Sequence, residues 1–299
     1  MKKVVLAGGT GFVGQDFAQR FKKLGYEVLI ISRQTGHIAW ENRAGIIGAL
    51  EEAEMLINLA GKSVNCRYTE ENRKAILESR TRTTRILGEA VLACNQPPEL
   101  WINSSTATIY RHAEDRPMTE KEGEIGSGFS VDVAKAWEQA FFEFSLPSTR
   151  QIALRIAIVL GEGGVMVPMT NLVRFGLGGS QGAGTQQFSW IHIEDLFRMV
   201  IYLQEHPHLN GVFNASSPHP VTNRELMASL REQMGVRIGL PSPRWMLEVG
   251  ARFIQTETEL VLKSRWVIPE RLEREGFTFT YGTLDTTLAE ILNKGNDTS

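Results

Sequence analysis

Short apolar runs alternate with segments of helical periodicity along the first half of the chain. The first run, Val4–Ala7, is ended by glycines, and the apolar positions that follow it recur at the spacing of one helix face, which Gly25 can close. A second helical pattern covers Glu70–Ala93. Further strand-like runs are Val28–Ile31, Met55–Ala60, Trp101–Ser104 and Ile152–Leu160. Because strands that alternate with helices form parallel sheets covered on both faces, the pattern predicts an α/β fold with a doubly wound parallel sheet.

The second half of the chain has a less regular pattern. Positions 161–184 contain eight glycines and one proline, which indicates a loop-rich stretch. Asp195 is predicted to cap a helix over Leu196–Gln204. Two more strands and a helical tail are predicted at Trp190–Ile193, Val212–Ala215 and Trp245–Leu292.

These patterns predict two domains. The first covers residues 1–236, and its segment 166–187 contributes to a substrate lobe. The second, residues 237–299, is a smaller and mostly helical C-terminal lobe. The predicted boundary between them lies near residue 236.

The composition excludes several classes of protein. Thirty-two basic and 34 acidic side chains leave a formal net charge of −2, so there is no basic surplus with which to bind nucleic acid or an anionic membrane. Cys66 and Cys94 are too few for a disulfide framework, and His206 and His208 lack a third ligand nearby, so we predict no metal site. No apolar run reaches the roughly 18–20 residues of a membrane span, and we expect a cytoplasmic protein.

A glycine-rich turn lies directly between the first predicted strand and the first helix. Glycine there permits a tight turn and lets backbone N–H groups approach a pyrophosphate, while the helix N-terminus adds partial positive charge. This context favours dinucleotide binding over a purely structural turn and makes the predicted sheet a Rossmann-type fold. The predicted cofactor contacts in the turn are Gly8, Thr10, Gly11, Phe12, Val13 and Gly14.

The end of the second strand indicates which dinucleotide is bound. An acidic residue about twenty positions after the glycine turn would hold the ribose 2′-hydroxyl of NAD. Here the strand ends in Ser32 and Arg33, and no Asp or Glu follows until Glu41. A carboxylate would repel the 2′-phosphate of NADP, whereas a guanidinium can pair with it bidentately. We therefore predict NADP as the cofactor, with Ser32 and Arg33 beside it; the alternative is that Arg33 is a solvated loop residue.

Three segments resemble the extended short-chain dehydrogenase/reductase superfamily, which includes nucleotide-sugar epimerases and dehydratases. They are the glycine turn, Asn58-Leu59-Ala60-Gly61 and Ser104-Ser105-Thr106-Ala107-Thr108-Ile109-Tyr110. A closer resemblance, to epimerase family proteins with a C-terminal domain of unknown function of the DUF1731 type, spans the whole chain. It rests on Ser79-Arg80, Trp137-Glu138, Phe175-Gly176-Leu177-Gly178-Gly179, Trp190-Ile191-His192-Ile193-Glu194-Asp195, Ser217-Pro218, Pro269-Glu270-Arg271-Leu272 and Gly276-Phe277.

This resemblance carries expectations about the cofactor cleft and the assembly. It implies that Leu59, Ala60, Gly61 and Arg80 lie beside the cofactor. Superfamily relatives often dimerise through two helices on one sheet face, so a homodimer is expected by analogy.

The superfamily's chemistry requires a Ser or Thr that orients the substrate and a Tyr that transfers a proton, four residues before a Lys on the same helix face. Thr106 stands at the Ser/Thr position, but Ser130 and Ala134 stand where Tyr and Lys are expected. An aliphatic hydroxyl is far less acidic than a phenol, so Ser130 cannot take over the proton transfer. Tyr110 is a candidate replacement if the fold brings it to the nicotinamide. Lys135 is more simply a surface lysine.

His192 is one further titratable residue beside the expected pocket and titrates near neutrality, although such a histidine is more often structural.

Two functions therefore remain open. The first function is an NADP-dependent oxidoreductase or epimerase that acts on a small sugar-like or carbonyl substrate. The second is a non-catalytic NADP-binding sensor or regulatory protein, which the missing Tyr and Lys favour.

Overall fold

The computed structural model describes residues 2–243, 245, 247–248 and 262–297. Its strands are β1 Lys3–Ala7, β2 Glu27–Ile31, β3 Met55–Asn58, β4 Leu100–Thr106, β5 Arg150–Ile156, β6 Ile158–Leu160, β7 Gln187–Phe188, β8 Trp190–His192, β9 Gly211–Ala215 and β10 Val221–Thr222. Six of them form one sheet in the order β2-β1-β3-β4-β5-β9, and each neighbouring pair is parallel. The predicted α/β doubly wound fold is confirmed.

Helices connect the strands and cover the sheet. They are α1 Phe12–Lys23, α2 Arg43–Leu50, α3 Glu70–Ala93, α4 Phe129–Phe142, α5 Met166–Arg174, α6 Ile193–Glu205, α7 Asn223–Gln233, α8 Glu270–Arg274 and α9 Leu284–Asp297. Strand order reverses direction at β1, because β2 lies on one side of it and β3 on the other. In open parallel sheets, such a reversal opens a crevice at the carboxyl ends of the strands, where ligands bind.

Both faces of the sheet are buried, as its continuous apolar strands require. On one face, Phe17 and Phe21 of α1 contact Phe197 of α6, with ring centroids 5.3 and 4.9 Å apart. On the other face, Trp101 of β4 contacts Phe141 of α4 at 4.8 Å. Packing on both sides fixes the strands, so their carboxyl ends form a rigid edge on which a site can be built.

A smaller unit of the structure is formed by the second half of the chain. Strand β6 pairs parallel with β8, and β7 pairs antiparallel with β10. Helices α5, α7 and α9 share an apolar core that includes Met169, Leu230 and Leu288. Leu272 and Phe277 belong instead to the core of the main sheet. The division into residues 1–236 and 237–299 stays a prediction.

Two sequence predictions about these elements are wrong. Ile152–Leu160 is not one strand: the chain leaves the main sheet at Ala157 and continues as β6. The two strands resemble a single run because, apart from Arg155, every residue from Ile152 to Leu160 is apolar. Asp195 does not cap α6, which begins at Ile193 with His192 as its N-cap. The Asp195 carboxylate is fully buried and accepts hydrogen bonds from the backbone of the segment that precedes α9.

The remaining predictions concern the helices. The helix over Glu70–Ala93 is confirmed, whereas α2 was not predicted. Much of the helical tail predicted over Trp245–Leu292 lies outside the described residues. Among the helices that the structure describes, none has the length and apolar character needed to cross a membrane.

Candidate functional site: a glycine-lined cleft at the carboxyl edge of the sheet

The glycine turn joins β1 to α1, and its packing leaves no room for a side chain at Gly8 or Gly14. Gly8 has a φ of +77°, and a Cβ there would lie 2.7 Å from backbone atoms of Ala60. A Cβ on Gly14 would lie 2.6 Å from the Cα of Gly9. Gly11 differs, because a Cβ on it would meet nothing nearer than a carbonyl oxygen at 3.7 Å. No side chain caps α1, so the N–H groups of its first turn face the open space beside Gly11.

The side chains of Phe12 and Val13 pack against neighbouring elements and stabilise the conformation of the turn. Phe12 packs against the glycine-rich loop 161–164, where a Cβ on three of the glycines would lie 2.9–3.2 Å from its ring. Val13 packs against the core of the main sheet. The carbonyl of Thr10 accepts a hydrogen bond from Gln15 at 3.0 Å. Backbone groups, rather than side chains, are therefore what the turn presents to a ligand.

The carboxyl end of β2 carries the residues predicted to select the dinucleotide. Ser32 is buried, and its hydroxyl accepts a hydrogen bond from the N–H of Gln34 at 3.0 Å. Arg33 is exposed, and no carboxylate among the described residues forms an ion pair with it. Its guanidinium is accordingly available to an anionic ligand at this end of the crevice.

The segment Leu59–Gly61 lies directly beside the glycine turn and forms a further wall of the cleft. Asn58 accepts a hydrogen bond from the second N–H of this segment at 3.1 Å. Two neighbouring residues of α3 hold the next residue, Lys62: the Ser79 hydroxyl accepts from its N–H at 2.8 Å, and Arg80 donates to its carbonyl at 3.1 Å. The Ser-Arg pair therefore fixes the backbone that lines the cleft.

A buried polar network ties together the elements around this wall. The Asn58 amide donates to Thr84 at 3.1 Å and to Asn103 at 2.7 Å. The Trp137 indole also donates to Thr84, at 3.0 Å. Because buried polar groups are costly unless satisfied, this network fixes how β3, β4, α3 and α4 meet.

The two predicted catalytic residues occupy different environments. Thr106 is half-buried at the end of β4, and its hydroxyl accepts from the N–H of Thr108 at 3.2 Å. Tyr110 is 2% exposed; its hydroxyl donates to Asn214 and accepts from Arg155, both at 2.9 Å. Burial raises the pKa of Tyr110, and Arg155 offsets this only in part. The catalytic role of Tyr110 stays a prediction, and these surroundings weigh against it.

The face of α4 that should carry the Tyr and Lys is turned toward the sheet. Ala134 is fully buried in an apolar cluster, and Ser130 on the same face is half-buried. Lys135 is exposed, as expected of a surface lysine. This helix face therefore carries neither a phenol nor an ammonium group.

Glu138, one turn beyond Ala134, belongs to the Trp137-Glu138 pair on which the family resemblance rests, but its role was not predicted from the sequence. Its carboxylate accepts from Arg155 through two hydrogen bonds of 2.8 Å and from Ser105 at 2.6 Å. Burial alone would lower the pKa of Arg155, but the bonds to Glu138 raise it above its ordinary value. An arginine inside the apolar run of β5 was the available signal, since a buried guanidinium needs a carboxylate.

His192 is a structural residue in this arrangement. Its Nδ1 accepts from the N–H of Glu194 at 3.2 Å, and its Nε2 lies 3.1 Å from a carboxylate oxygen of Glu290. Burial lowers the pKa of His192 below 6.5, while Glu290 opposes the shift. The ring is thus a neutral helix cap rather than an acid in the cleft.

Residues 263–268, which we call the C-terminal strap, border the cleft near Thr106. Arg265 donates to the hydroxyl of Thr108 at 3.2 Å. On the other side, the Ser189 hydroxyl donates to the Arg265 carbonyl at 2.7 Å and accepts from a strap N–H at 2.7 Å. The strap therefore joins the loop after β4 to the strands β7 and β8.

A strand, glycine turn and helix at the carboxyl edge of a doubly wound parallel sheet define a dinucleotide-binding protein of the Rossmann type. The chain belongs to the epimerase family, since it is 32% identical to the human epimerase family protein SDR39U1 over 298 residues, covering 97% of this chain and 99% of that protein. The resemblance inferred from the sequence is confirmed. The profile of the NAD dependent epimerase/dehydratase family matches residues 4–136, and that of a domain of unknown function (DUF1731) matches residues 242–291.

Other relatives show the same relationship. The epimerase family protein YfhF of Bacillus subtilis is 28% identical over 298 residues, covering 97% of each chain. The crystal structure of human SDR39U1 (isoform 2) with NADPH superposes with a TM-score of 0.89 at 31% identity, covering 97% of this chain and 99% of that one. The UDP-N-acetylglucosamine 4-epimerase of Bacillus cereus shares the fold, with a TM-score of 0.78 at 19% identity and coverage of 99% and 97%.

Proposed function

We propose that this protein binds NADPH along the carboxyl edge of its sheet. The observation that carries the proposal is the glycine cradle: Gly8 and Gly14 bring β1, β3 and α1 together, while Gly11 leaves open space before an uncapped helix N-terminus. The chain therefore fits a pyrophosphate, which is bound by backbone N–H groups in such turns. The human relative bound to NADPH supports the same assignment.

Arg33 is the residue that we expect to distinguish NADPH from NADH. It is exposed at the end of β2, where Rossmann-type proteins contact the adenosine ribose. No carboxylate among the described residues neutralises it, and Ser32 beside it adds a hydroxyl. A guanidinium in this position pairs with the 2′-phosphate that only NADPH carries.

We further propose that the cleft reduces or epimerises a small carbonyl or sugar-like substrate. When bound, NADPH would supply the hydride for reduction of a carbonyl, whereas an epimerisation would require NADP+ to accept a hydride from the substrate and return it. Thr106, at the carboxyl end of β4, would orient the substrate oxygen through its hydroxyl. Leu59–Gly61 and the C-terminal strap would line opposite sides of the substrate, with Ser79 and Arg80 fixing the first of these walls.

One observation favours a second candidate, an NADPH-binding sensor without catalysis. Ala134 is fully buried where a lysine is expected, and the Tyr110 hydroxyl is engaged by two buried partners. General acid–base assistance typically contributes about 10²–10⁴-fold to such reactions. Without that assistance, the protein would still bind NADPH but would lose most of its rate enhancement on a substrate.

Cofactor binding is tested first, by titration of NADPH fluorescence. Gly11→Val should abolish measurable affinity while the fold survives, because the new side chain enters open space that the phosphates must occupy. Gly48→Val is the matched control, since Gly48 also faces open space but lies on α2. Unchanged affinity in a folded Gly11→Val protein would show that the phosphate site lies elsewhere.

Cofactor choice is tested by comparing NADPH with NADH. A charge-assisted contact contributes roughly 1.5–3 kcal/mol, so Arg33→Ala should weaken NADPH about 10- to 100-fold and leave NADH nearly unchanged. Arg82→Ala, at an exposed position of α3, is the control. Equal losses for both cofactors would contradict the role given to Arg33.

Catalysis is tested by following NADPH absorbance with a panel of carbonyl compounds. Turnover that Thr106→Ala abolishes, without loss of NADPH affinity, supports the enzyme. Tight NADPH binding with no consumption of NADPH by the panel, and no interconversion of sugar-like stereoisomers in the presence of NADP+, supports the sensor.

A further inference from the structure

Phe12 is the first residue of α1, and its backbone and its side chain lie beside different parts of the molecule. Its N–H belongs to the first turn of this uncapped helix, and no acceptor within the described part of the chain pairs with it. Its ring instead packs against residues 161–165, which connect β6 to α5 and which we call the β6–α5 loop. A single residue therefore links the proposed phosphate site to the smaller unit of the structure.

Glycines of the β6–α5 loop make room for this ring. A Cβ on Gly161 would lie 2.9 Å from the nearest ring atom, and one on Gly163 or Gly164 would lie 3.1 or 3.2 Å away. At Gly163, two carbons of the Phe12 ring are the only described atoms within 4 Å of such a Cβ, apart from the chain neighbours. Because there is no room for even a methyl group between them, the ring cannot shift toward the loop unless the loop moves as well.

The β6–α5 loop is in turn joined to the core of the smaller unit. The Gly163 carbonyl accepts a hydrogen bond from the N–H of Met166 at 3.2 Å, and the carbonyl of Val165 accepts from the N–H of Met169 at 3.3 Å. Both methionine side chains are buried in the apolar core that α5 shares with α7 and α9. A displacement of the loop is therefore passed on to α5, since close-packed interiors transmit strain.

A bound dinucleotide would act on this series of contacts at its first member. A pyrophosphate at the glycine turn would accept hydrogen bonds from N–H groups of the first turn of α1, and Phe12 carries the first of these groups. Such bonds restrict the backbone of Phe12, and a restricted backbone restricts its ring. The conformational freedom of the loop would therefore decrease when the phosphates are bound, although no atom of the dinucleotide has to touch the loop.

We propose that Phe12 is a positioning residue through which bound NADPH stabilises the β6–α5 loop and α5. The inference rests on the proposed function, because NADPH must first bind at the glycine turn. It goes beyond that function by giving the binding events an order: residues 166–187, which are predicted to contribute to the substrate lobe, are most stable only after the cofactor has bound. Substrate affinity should therefore be higher in the presence of NADPH than in its absence.

The coupling is tested by hydrogen exchange of the full-length protein, followed by mass spectrometry with and without saturating NADPH. We expect amides of residues 161–174 in the parent to exchange at least about fivefold more slowly when NADPH is bound. Phe12→Ala should lose this effect, because the contact between turn and loop is gone. Val167→Ala is the matched control and should behave as the parent, since Val167 is 52% exposed on α5. Saturation is verified for each protein by NADPH fluorescence.

A second measurement does not depend on the cofactor. Gly163 does not have a left-handed φ, so Gly163→Ala strains the structure only through the contact of its Cβ with the Phe12 ring. Gly163→Ala should therefore lower the Tm of the parent more than it lowers the Tm of Phe12→Ala. Equal losses of Tm in the two backgrounds would show that ring and loop are not coupled, and would overturn the proposal. If Phe12→Ala fails to fold, Phe12→Leu, which lacks the ring but remains apolar, replaces it in both measurements.

The exchange experiment separates this proposal from the cofactor assignment. Slower exchange of residues 8–15 with NADPH, without any change in residues 161–174, would overturn the proposal and leave the cofactor site intact. An effect of NADPH in Phe12→Ala as large as in the parent would also overturn it, since the cofactor would then act on the loop without this ring. A parent that shows neither slower exchange in residues 8–15 nor a change in NADPH fluorescence would refute the cofactor site, and with it the proposal.

Discussion

Replacement of Tyr110 by phenylalanine separates a structural role of this residue from a catalytic one. The substitution removes one oxygen atom and keeps the ring in its buried cluster. Within the described part of the chain, the lost hydroxyl is the only side-chain link between Asn214 and the guanidinium of Arg155. A structural role therefore predicts a loss of stability that does not depend on any substrate.

The magnitude follows from the partners that remain. Arg155 keeps its two bonds to Glu138, and Asn214 keeps its bond to the Ile268 carbonyl at 3.0 Å. A neutral hydrogen bond contributes about 0.5–1.5 kcal/mol, and one to a charged group about 1.5–3. We therefore expect Tyr110→Phe to lower the free energy of unfolding by about 2–4 kcal/mol, or roughly 2–4 °C in Tm for each kcal/mol.

The assay combines urea denaturation with titration of NADPH. Tyr26→Phe is the matched control, because Tyr26 is half-buried and its hydroxyl donates to Glu54 at 3.2 Å at the amino edge of the sheet; its loss should cost less than about 1 kcal/mol. NADPH affinity should be unchanged in both variants. A Tyr110→Phe protein as stable as the parent, but without carbonyl reduction that the parent performs, would refute this reasoning and assign the phenol to proton transfer.

Three further substitutions probe the turn, the pH dependence and the missing lysine. Gly14→Ala would place a Cβ 2.6 Å from the backbone of the turn, so thermal melting and NADPH titration should both show a loss. Gly11→Val, by contrast, should lose affinity alone. The lowered pKa of His192 means that the unfolded chain takes up a proton below pH 6.5 while the folded protein does not. The free energy of unfolding should therefore decrease as the pH falls below 6.5. Melting from pH 7.5 to 5 should show that the part of this decrease caused by His192 is absent in His192→Asn and present in the exposed control His219→Asn. Ala134→Lys would bury an ammonium group in an apolar cluster, so its Tm should fall by several degrees rather than activity rise, and an unchanged Tm would contradict the packing described for α4.

Much of the fold could be predicted because its local signals agree with its tertiary structure. The apolar strands of the main sheet are buried on both faces, and Glu70–Ala93 is long enough for its periodicity to be clear. Helix α2 was missed because it has only eight residues, and Gly45 and Gly48 weaken its helical pattern. The division of Ile152–Leu160 could not be read from hydrophobicity, since apolar residues continue from Ile156 through Ala157 into β6.

The candidate site could be predicted only where its residues are close together in the sequence. The glycine turn is such a local motif, and its geometry agrees with the prediction. Glu138 and Arg155 are 17 residues apart, so their pairing depends on how α4 packs on β5. The contacts of Arg80 with Gly61 and Trp137 likewise depend on the folded structure, which brings these distant residues together.

The C-terminal strap has a consequence for the order in which this protein can fold during synthesis. Ser264 donates to the carbonyl of Ala113 across 151 residues of sequence, and Arg265 reaches Thr108 across 157. Such distant contacts form late, because a long loop must close before they contribute. The glycine turn can form soon after the first three strands have left the ribosome, whereas the substrate side of the cleft must wait for almost the whole chain. A nascent chain can thus acquire its nucleotide cradle well before it acquires any selectivity for substrate.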